Sequence, residues 1–372
     1  MSDSNQDLLH TPEGLWDHYG SDLREIETVE DSILGTFHSF GFEDIKTPAF
    51  EFFDVFSKEI GTKPSRELYK FFDKDGSTLV LRPDFTPSVA RCAAKYFMDD
   101  TRPLRFCYEG SVFANTTSLQ GKLHESTQMG AELINDDSIY ADAEMLAMLI
   151  GSLRKAGLSR FQITVGNVEY FKGICEAAGI GGETEPALRE YISSKNYYAA
   201  EDLLKSRNIA PKYQETFLRI TNFMKTDEDL QGVLVSAPNS RAAKAIERLI
   251  DLYRVLADYG VTDYISFDLS LLSKYQYYTG IIFKGYTYGV GDAIAAGGRY
   301  DSLLSHFGKD APAIGFAVMI DSLMEALRSQ KVSVPEGEPV ETLTYTPATF
   351  AVKLREAGRL RGEGRRVQLV RG

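Results

Sequence analysis

A long block of helix-type sequence separates two blocks of strand-type sequence in this chain. Residues 168–259 are almost entirely helical in pattern, and they are broken only by the glycines around 179–182 and by Pro211 and Pro238. The apolar alternation that is typical of strands occurs on both sides of this block. Strands at hairpin spacing, one long helix and a helical insertion together indicate an α+β fold, with a mostly antiparallel sheet flanked by helices.

Individual elements follow from the spacing of the apolar residues. A helix is predicted at residues 23–40, ended by Gly41, and a strand that runs into a helix start is predicted at residues 45–56. Residues 138–156 form the strongest predicted helix, with acidic residues in the first turn and cations at the end. Further strands are predicted at residues 104–113, 128–134, 161–165, 264–270, 279–286 and 314–320, and a further helix at residues 322–329.

These elements divide the chain into a discontinuous core and attached parts. The core is predicted at residues 8–166 and 261–330, and residues 167–260 are predicted to be an all-helical insertion. A linker rich in proline and glycine is expected at residues 331–341. Residues 342–372 have the pattern strand, helix, strand, which predicts a small βαβ fragment that is too short to be a self-sufficient domain.

Charge and composition argue against several classes of function. The 372 residues contain 53 Asp and Glu against 41 Lys and Arg, and the net charge of −12 argues mildly against a nucleic-acid partner. No apolar run is long enough to span a bilayer, and residues 1–7 are too polar for a signal peptide. We therefore expect a cytoplasmic protein that makes no membrane contact.

Cysteine and histidine are too scattered to indicate a metal centre. Zinc sites need clustered ligands, so the sequence predicts buried thiols, no metal and no cofactor. The residues concerned are Cys92, Cys107, Cys175, His10, His18, His38, His124 and His306.

Several polar residues have the spacing that a binding pocket for a small cation requires. Gln128 and Glu132 are four apart on a predicted strand, so their side chains project from the same face. Asp84 and Thr86 are two apart and could do the same. An ammonium group buried without an acceptor is unfavourable, and carboxylates are its best partners. These residues are therefore candidates for binding an amino acid.

Five segments in order resemble the catalytic core of histidyl-tRNA synthetase, a class II aminoacyl-tRNA synthetase, and together they cover nearly all of residues 8–328. They are Thr11-Pro12-Glu13-Gly14, residues 81–87, residues 108–132, Tyr277-Tyr278-Thr279-Gly280, and residues 297–301 continuing to Gly315-Phe316-Ala317. The resemblance implies a class II synthetase-like fold and a pocket for histidine. The residues that match the family's histidine-binding positions are Asp84, Thr86, Gln128, Glu132, Tyr277 and Tyr278.

Three positions depart from the family where the synthetase has arginines for ATP. The matching residues here are Ala114, Ser273 and Ser322. Adenylate formation brings two anions together, so it depends on fixed positive charge around the phosphorus, and losing one such donor typically lowers the rate by about 10² to 10³. Residues 115–118, Asn-Thr-Thr-Ser, also replace the charged stretch with which class II enzymes hold ATP. Lys122, further along this loop, could in principle hold a phosphate, but a lone lysine in a loop is usually just solvated. The sequence therefore predicts a histidine pocket without ATP chemistry.

Residues 81–91 resemble those of the ATP phosphoribosyltransferase regulatory subunits, which are synthetase paralogues without aminoacylation activity. The resemblance implies a non-catalytic subunit that assembles with the short-form catalytic subunit, which joins ATP to phosphoribosyl pyrophosphate in the first step of histidine biosynthesis. Such a subunit would activate its partner and mediate feedback inhibition by L-histidine, without binding tRNA. Two alternatives stay open: a free-standing histidine sensor or adaptor, and an active histidyl-tRNA synthetase, against which the three missing arginines argue.

The resemblance also implies a homodimer. Class II synthetase folds pair through their first signature motif, which falls at residues 34–56. That segment is unusually aromatic, more than an isolated surface helix would tolerate. Its aromatic residues include Phe37, Phe40, Phe42, Phe50, Phe52 and Phe53.

Overall fold

The computed structural model describes residues 9–56, 64–116, 123–220, 223–273, 277–334 and 339–372. Residues 1–7, most of the polar loop at 115–125, and Pro335 and Gly337 of the expected linker lie outside these ranges.

The described residues form the following strands and helices. The strands are β1 (Glu43–Asp44), β2 (Phe50–Phe52), β3 (Lys70–Phe72), β4 (Thr78–Leu81), β5 (Leu104–Phe113), β6 (Glu125–Ile134), β7 (Phe161–Asn167), β8 (Phe223–Met224), β9 (Ile265–Asp268), β10 (Ile281–Thr287), β11 (Ala295–Arg299), β12 (Ala313–Met319), β13 (Glu341–Tyr345) and β14 (Val367–Arg371). The helices are α1 (Gly20–Ser39), α2 (Thr86–Tyr96), α3 (Ile139–Lys155), α4 (Val168–Ala178), α5 (Thr184–Ser193), α6 (Tyr197–Ser206), α7 (Pro211–Arg219), α8 (Asp227–Val235), α9 (Ser240–Asp258), α10 (Ile320–Ser329) and α11 (Phe350–Gly362).

Nine strands form one central sheet in the order β1-β5-β6-β12-β11-β10-β7-β9-β8. Neighbouring strands are antiparallel except for the pairs β1–β5 and β7–β9, which are parallel. Strands from before and after the helical block pair with each other at β6–β12, β10–β7 and β7–β9, so both parts of the chain build the same sheet. The predicted α+β fold with a mostly antiparallel sheet is confirmed.

The two faces of the sheet carry different cores. Side chains alternate along a strand, so Cys107 of β5 points to one face while Phe106 and Tyr108 point to the other. The main core lies on the Cys107 face, where α1, α3, α9 and α10 pack. A smaller core on the Tyr108 face includes Phe85 and Val89 of the α2 region. The candidate site described below lies on this second face.

A buried ion network joins three elements of the main core. Asp142 of α3 is fully buried, and its two carboxylate oxygens accept hydrogen bonds from Arg299 of β11 and Arg248 of α9. The Arg299 Nε–Asp142 Oδ1 distance is 2.9 Å and the Arg248 Nε–Asp142 Oδ2 distance is 2.8 Å. Arg299 is itself only 3% exposed. The network therefore links the sheet, the long helix α3 and the last helix of the helical block.

Helices α4 to α9 occupy residues 168–258, where the helical insertion was predicted. The block also contains a strand that the sequence did not predict, because β8 is only two residues long and has no detectable period. This strand pairs antiparallel with β9 and forms one end of the central sheet. The division of the chain into domains stays a prediction.

One local prediction was wrong, and two elements were not predicted. Residues 45–49 are not a strand; the chain forms the short β1 before them and β2 after them, and Pro48 supplies no hydrogen-bond donor for a continuous ladder. Helix α2 was missed; Asp84 and Thr86 were expected to share a face as residues two apart on a strand do, whereas Thr86 begins the helix. Strand β11 was missed because Gly297 and Gly298 lower strand propensity. Phe283 and Tyr278 fill the space that a side chain at these two glycines would need.

The aromatic residues of the segment at 34–56 divide into two groups. Phe37 and Phe42 are buried in the main core, so they do not contribute a contact surface. Phe50 and Phe52 are 51% and 58% exposed on the three-stranded sheet β2-β4-β3. Phe50 contacts Phe71 edge to face at a ring-centroid distance of 5.6 Å. The exposed aromatic surface is therefore this small sheet rather than the helix α1.

At the C-terminus, β13 and β14 form a parallel pair connected by α11, as the predicted βαβ pattern requires. Its core is small and includes Leu343, Ala357, Leu360 and Val367. None of the described helices combines the length and the apolar character that crossing a membrane demands.

Candidate functional site

A cavity of about 370 Å³ opens on the Tyr108 face of the central sheet. Five of the six predicted site residues line it, and Glu132 lies directly beside it, bonded to side chains of the lining. The predicted residues in the lining are Asp84, Thr86, Gln128, Tyr277 and Tyr278. The fold therefore brings together residues that are nearly two hundred positions apart.

Glu132 of β6 is the buried carboxyl group of the site. It is 1% exposed and accepts hydrogen bonds from Thr86 Oγ1 at 2.7 Å, from Tyr108 OH at 3.4 Å and from the hydroxyl of Tyr300. Burial raises its pKa to about 8, and the charge of Asp84 adds to this, while the donating hydroxyls of Tyr300 and Thr86 oppose it. The carboxyl group is thus oriented by three hydroxyls and deprived of water.

Glycine at position 315 makes room for this carboxyl group. Gly315 of β12 lies opposite Glu132 in the antiparallel register. A Cβ atom at this position would overlap Glu132 Oε2. The glycine of the Gly315-Phe316-Ala317 motif therefore has a steric role, because it lets the Glu132 side chain lie across the neighbouring strand.

Asp84 and Thr86 reach the cavity from a turn rather than from a strand. The backbone N–H of Thr86 donates to Asp84 Oδ1 at 3.0 Å, and Thr86 is the first residue of α2, followed by Pro87. Such a side-chain-to-backbone bond is typical of the residues that start a helix. The expected strand geometry for this pair was wrong, although both side chains still line the cavity.

Gln128 supplies a free acceptor. It lies four residues before Glu132 on β6, so both side chains are on the same face of the strand. Its Oε1 atom is buried, and among the described residues it has no hydrogen-bond partner. A buried acceptor without a donor is unfavourable, so a ligand that carries N–H groups is the natural partner for it.

Tyr277 and Tyr278 both face the cavity. They precede β10 instead of lying in it, so the alternation of a strand does not send one of them to the opposite face. Their ring centroids are 4.3 Å apart, and the ring of Tyr277 is 6.3 Å from that of Tyr300. The three tyrosines form an aromatic wall that can contact a planar ring.

The three positions where the synthetase family has arginines supply no positive charge here. Ala114 and Ser273 are buried, and Ser322 lies near the start of α10. Beside Ser322, Asp321 Oδ2 accepts from the backbone N–H of Thr127 at 2.9 Å, which places a carboxylate at this end of β6. Among the described residues that line the cavity, Lys284 is the single Lys or Arg.

Sequence reasoning missed two of the groups that hold the site together. Tyr108 and Tyr300 were noticed only as members of motifs, yet both donate to Glu132. The sequence offered one signal for Tyr300, which directly follows the Gly297-Gly298-Arg299 motif. In the structure this motif belongs to β11, the strand beside β12. Lys284 carried no signal, because it is a lone lysine in an apolar strand.

Comparison with known proteins assigns this fold to a class. The family model described as histidyl-tRNA synthetase matches residues 14–323. Histidyl-tRNA synthetase from Nostoc sp. PCC 7120 superposes with a TM-score of 0.82 at 20% identity over 97% of this chain and 85% of its own, which supports the shared fold alone. The fold is thus that of the class II histidyl-tRNA synthetases.

Relatives at higher identity narrow this class to one family. The ATP phosphoribosyltransferase regulatory subunit of Ruminiclostridium cellulolyticum is 40% identical over 319 residues, covering 86% of this chain and 76% of the relative. That of Acetivibrio thermocellus is 39% identical over 90% of this chain and 80% of the relative. A solved structure from Bacillus halodurans, titled ATP phosphoribosyltransferase regulatory subunit/histidyl-tRNA synthetase, has a TM-score of 0.89 at 30% identity over 98% of this chain and 93% of its own. The chain belongs to the family of ATP phosphoribosyltransferase regulatory subunits.

Proposed function

We propose that this chain is a non-catalytic subunit that binds free L-histidine in the cavity beside Glu132. In the cytoplasm it assembles with the short-form ATP phosphoribosyltransferase catalytic subunit, activates it and conveys feedback inhibition by histidine. The observation that carries the proposal is the composition of the cavity: it is rich in acceptors and poor in cations.

The chemistry of free histidine fits this composition. Its ammonium group requires acceptors, and Glu132, Asp84 and Gln128 Oε1 offer carboxylate and amide oxygens. Its imidazole ring can pack against the aromatic wall of Tyr277, Tyr278 and Tyr300.

The composition of the cavity does not suit ATP. A triphosphate needs fixed positive charge, and the described lining offers Lys284 while Asp321 stands near the third arginine position. We therefore expect neither adenylate formation nor aminoacylation, and no use of tRNA. The names of the relatives support the proposed partner, because each is called a subunit of ATP phosphoribosyltransferase.

The test is calorimetric titration of the purified chain with L-histidine, alone and in complex with the short-form catalytic subunit. We expect binding by the wild type and a loss of affinity in Glu132→Gln, because removing one partner of a buried charge pair typically costs about 2–5 kcal/mol. At the low end this is roughly a thirtyfold loss. Feedback inhibition of the complex should weaken in parallel.

Glu51→Gln is a matched control for this test. Glu51 is also a buried glutamate, but it pairs with Arg91 at 2.7 Å and does not line the cavity. It should leave histidine affinity unchanged. If the wild type does not bind histidine, the pocket assignment is wrong; if it binds histidine but forms no complex with the catalytic subunit, the free-standing sensor is the better description. Histidine-dependent exchange between ATP and pyrophosphate would instead favour an active synthetase.

A further inference from the structure

Three side chains of metal-ligand type meet at the edge of the central sheet, on the face of β5 opposite to Tyr108 and the cavity. His38 lies in the last turn of α1, Asp44 lies in the edge strand β1, and Cys107 lies in β5 opposite Asp44 in the parallel register. One ligand atom from each of the three lies within 4.8 Å of the other two. The described residues include every histidine and cysteine of the chain, and this is the one such group among them.

Two of the three distances between these ligand atoms are close to those of a tetrahedral zinc site. His38 Nε2 is 3.0 Å from Asp44 Oδ1, and Cys107 Sγ is 3.5 Å from the same oxygen. Zinc bonds of about 2.0–2.1 Å to nitrogen, about 2.1 Å to carboxylate oxygen and about 2.3 Å to sulfur imply edges of about 3.4 Å and about 3.6 Å in a tetrahedron. The His38–Asp44 edge would need to open by a few tenths of an ångström.

We propose that His38, Asp44 and Cys107 bind a zinc ion. One nitrogen, one oxygen and one sulfur ligand form a set that zinc accepts, and a water molecule can complete the tetrahedron. The side chains of His38 and Asp44 are 44% and 66% exposed, so an ion can reach the site and the His38 side chain can adjust. Cys107 is buried beneath them and supplies the ligand that distinguishes zinc from hard cations.

A second histidine–aspartate pair, formed by His18 just before α1 and Asp22 in the first turn of α1, shows what the thiol adds. His18 Nδ1 is 2.7 Å from Asp22 Oδ2, which is a similar pair with similar exposure. Within the described residues this pair has no third ligand-type group close enough to complete a cluster. Asp22 also pairs with Arg328, whereas the His38–Asp44 pair has Cys107 beside it. His18 is therefore the control for any effect of His38.

Zinc at this point would tie together three elements that otherwise share few bonds. Strand β1 is two residues long and lies at the end of the sheet, so its pairing with β5 is short. A metal held by α1, β1 and β5 would fix the turn between the helix and the strand. Binding to the folded state alone stabilises a protein by mass action, so zinc should raise the melting temperature.

The experiment uses the full chain, purified without metal, and titrates it with Co²⁺ and then with Zn²⁺. Tetrahedral cobalt bound to a thiolate gives a sulfur-to-cobalt charge-transfer band in the near ultraviolet, and we expect this band in the wild type and its loss on adding zinc. Cys107→Ser should abolish the band. His38→Gln should weaken cobalt binding at least about tenfold, since even residues that only orient a ligand are worth 10–100-fold in affinity. His18→Gln should behave as the wild type.

The proposal is overturned if the wild type gives no such band. It is also overturned if the band persists in Cys107→Ser, because the thiolate would then be Cys92 or Cys175, or if His18→Gln and His38→Gln weaken binding equally. Should Cys107→Ser fail to fold, His38→Gln decides the matter, since its side chain is exposed and its replacement leaves the core intact.

Discussion

Glu132 is the residue whose protonation state controls the proposed site. Its pKa of about 8 means that the ligand-free protein holds this carboxyl group mostly neutral at pH 7. A bound ammonium requires the carboxylate, so binding must remove the proton, and lower pH must oppose binding. The carboxylate fraction rises from about one in eleven at pH 7 to one half at pH 8 for a pKa near 8.

We therefore expect histidine to bind roughly fivefold more tightly at pH 8 than at pH 7. Between pH 7 and pH 8, which is above the titration of the imidazole ring of free histidine, the ammonium group of histidine stays protonated. Calorimetry in buffers of different ionisation enthalpy would also detect the released proton. Glu132→Gln should lose this pH dependence; an equal slope in that variant would mean that another group titrates.

Asp142 joins helix α3 to strand β11 and helix α9, and the contribution of this network to the stability of the protein can be tested. Asp142 on α3 neutralises both the buried Arg299 of β11 and Arg248 of α9. Replacing it by asparagine breaks the buried ion pair and leaves Arg299 with Asp301, at 3.2 Å, as its remaining counter-ion. Breaking a buried pair typically destabilises a protein by about 3–5 kcal/mol. We expect Asp142→Asn to lower the free energy of unfolding by this order, as measured by urea denaturation.

Arg254→Gln on the same helix α9 is the comparison for that experiment. Arg254 pairs with Asp251 at 3.1 Å, and both side chains are more than half exposed. Exposed pairs contribute little, about 0–1 kcal/mol, so this variant should unfold as the wild type does. Similar losses in the two variants would indicate that burial of the network has no special role.

On the scale of the whole molecule, the exposed aromatic face of the small sheet β2-β4-β3 supports the predicted homodimer. Phe50 and Phe52 lie on this face, within the segment where class II folds are expected to pair. We expect the wild type to sediment as a dimer at micromolar concentration and Phe52→Asp to shift it towards the monomer, because a charge at an apolar interface is unfavourable.

Tyr198→Asp provides the control, since Tyr198 is an aromatic residue on α6 that is 85% exposed and lies outside that segment. It should sediment as the wild type does. A wild-type monomer under these conditions would contradict the homodimer, while the assignment of the chain to its family would be unaffected.

Much of the local structure was determined by the sequence alone. Strand β5 begins and ends where its apolar pattern predicted, and α3 differs from its predicted range by one residue at each end. Gln128 and Glu132 were expected to share a face because alternation is a property of any strand backbone. The order of the five synthetase-like segments along the chain was also enough to predict the fold class. The bounds of a strand or helix and the face of each side chain depend on residues within that one element, so the residue pattern of the segment is enough to predict them.

Tertiary structure decided the features that depend on contacts between distant elements. Burial raises the pKa of Glu132 against the opposing hydrogen bonds from Tyr300 and Thr86, and a neighbouring Gly315 makes that burial possible. Phe37 and Phe50 look alike in the sequence, yet one is in the core and the other is exposed. Histidines and cysteines that are scattered along the chain include His38 and Cys107, which the sheet brings together around Asp44. Burial and proximity of this kind arise only when elements pack, and no periodicity within a single segment records them.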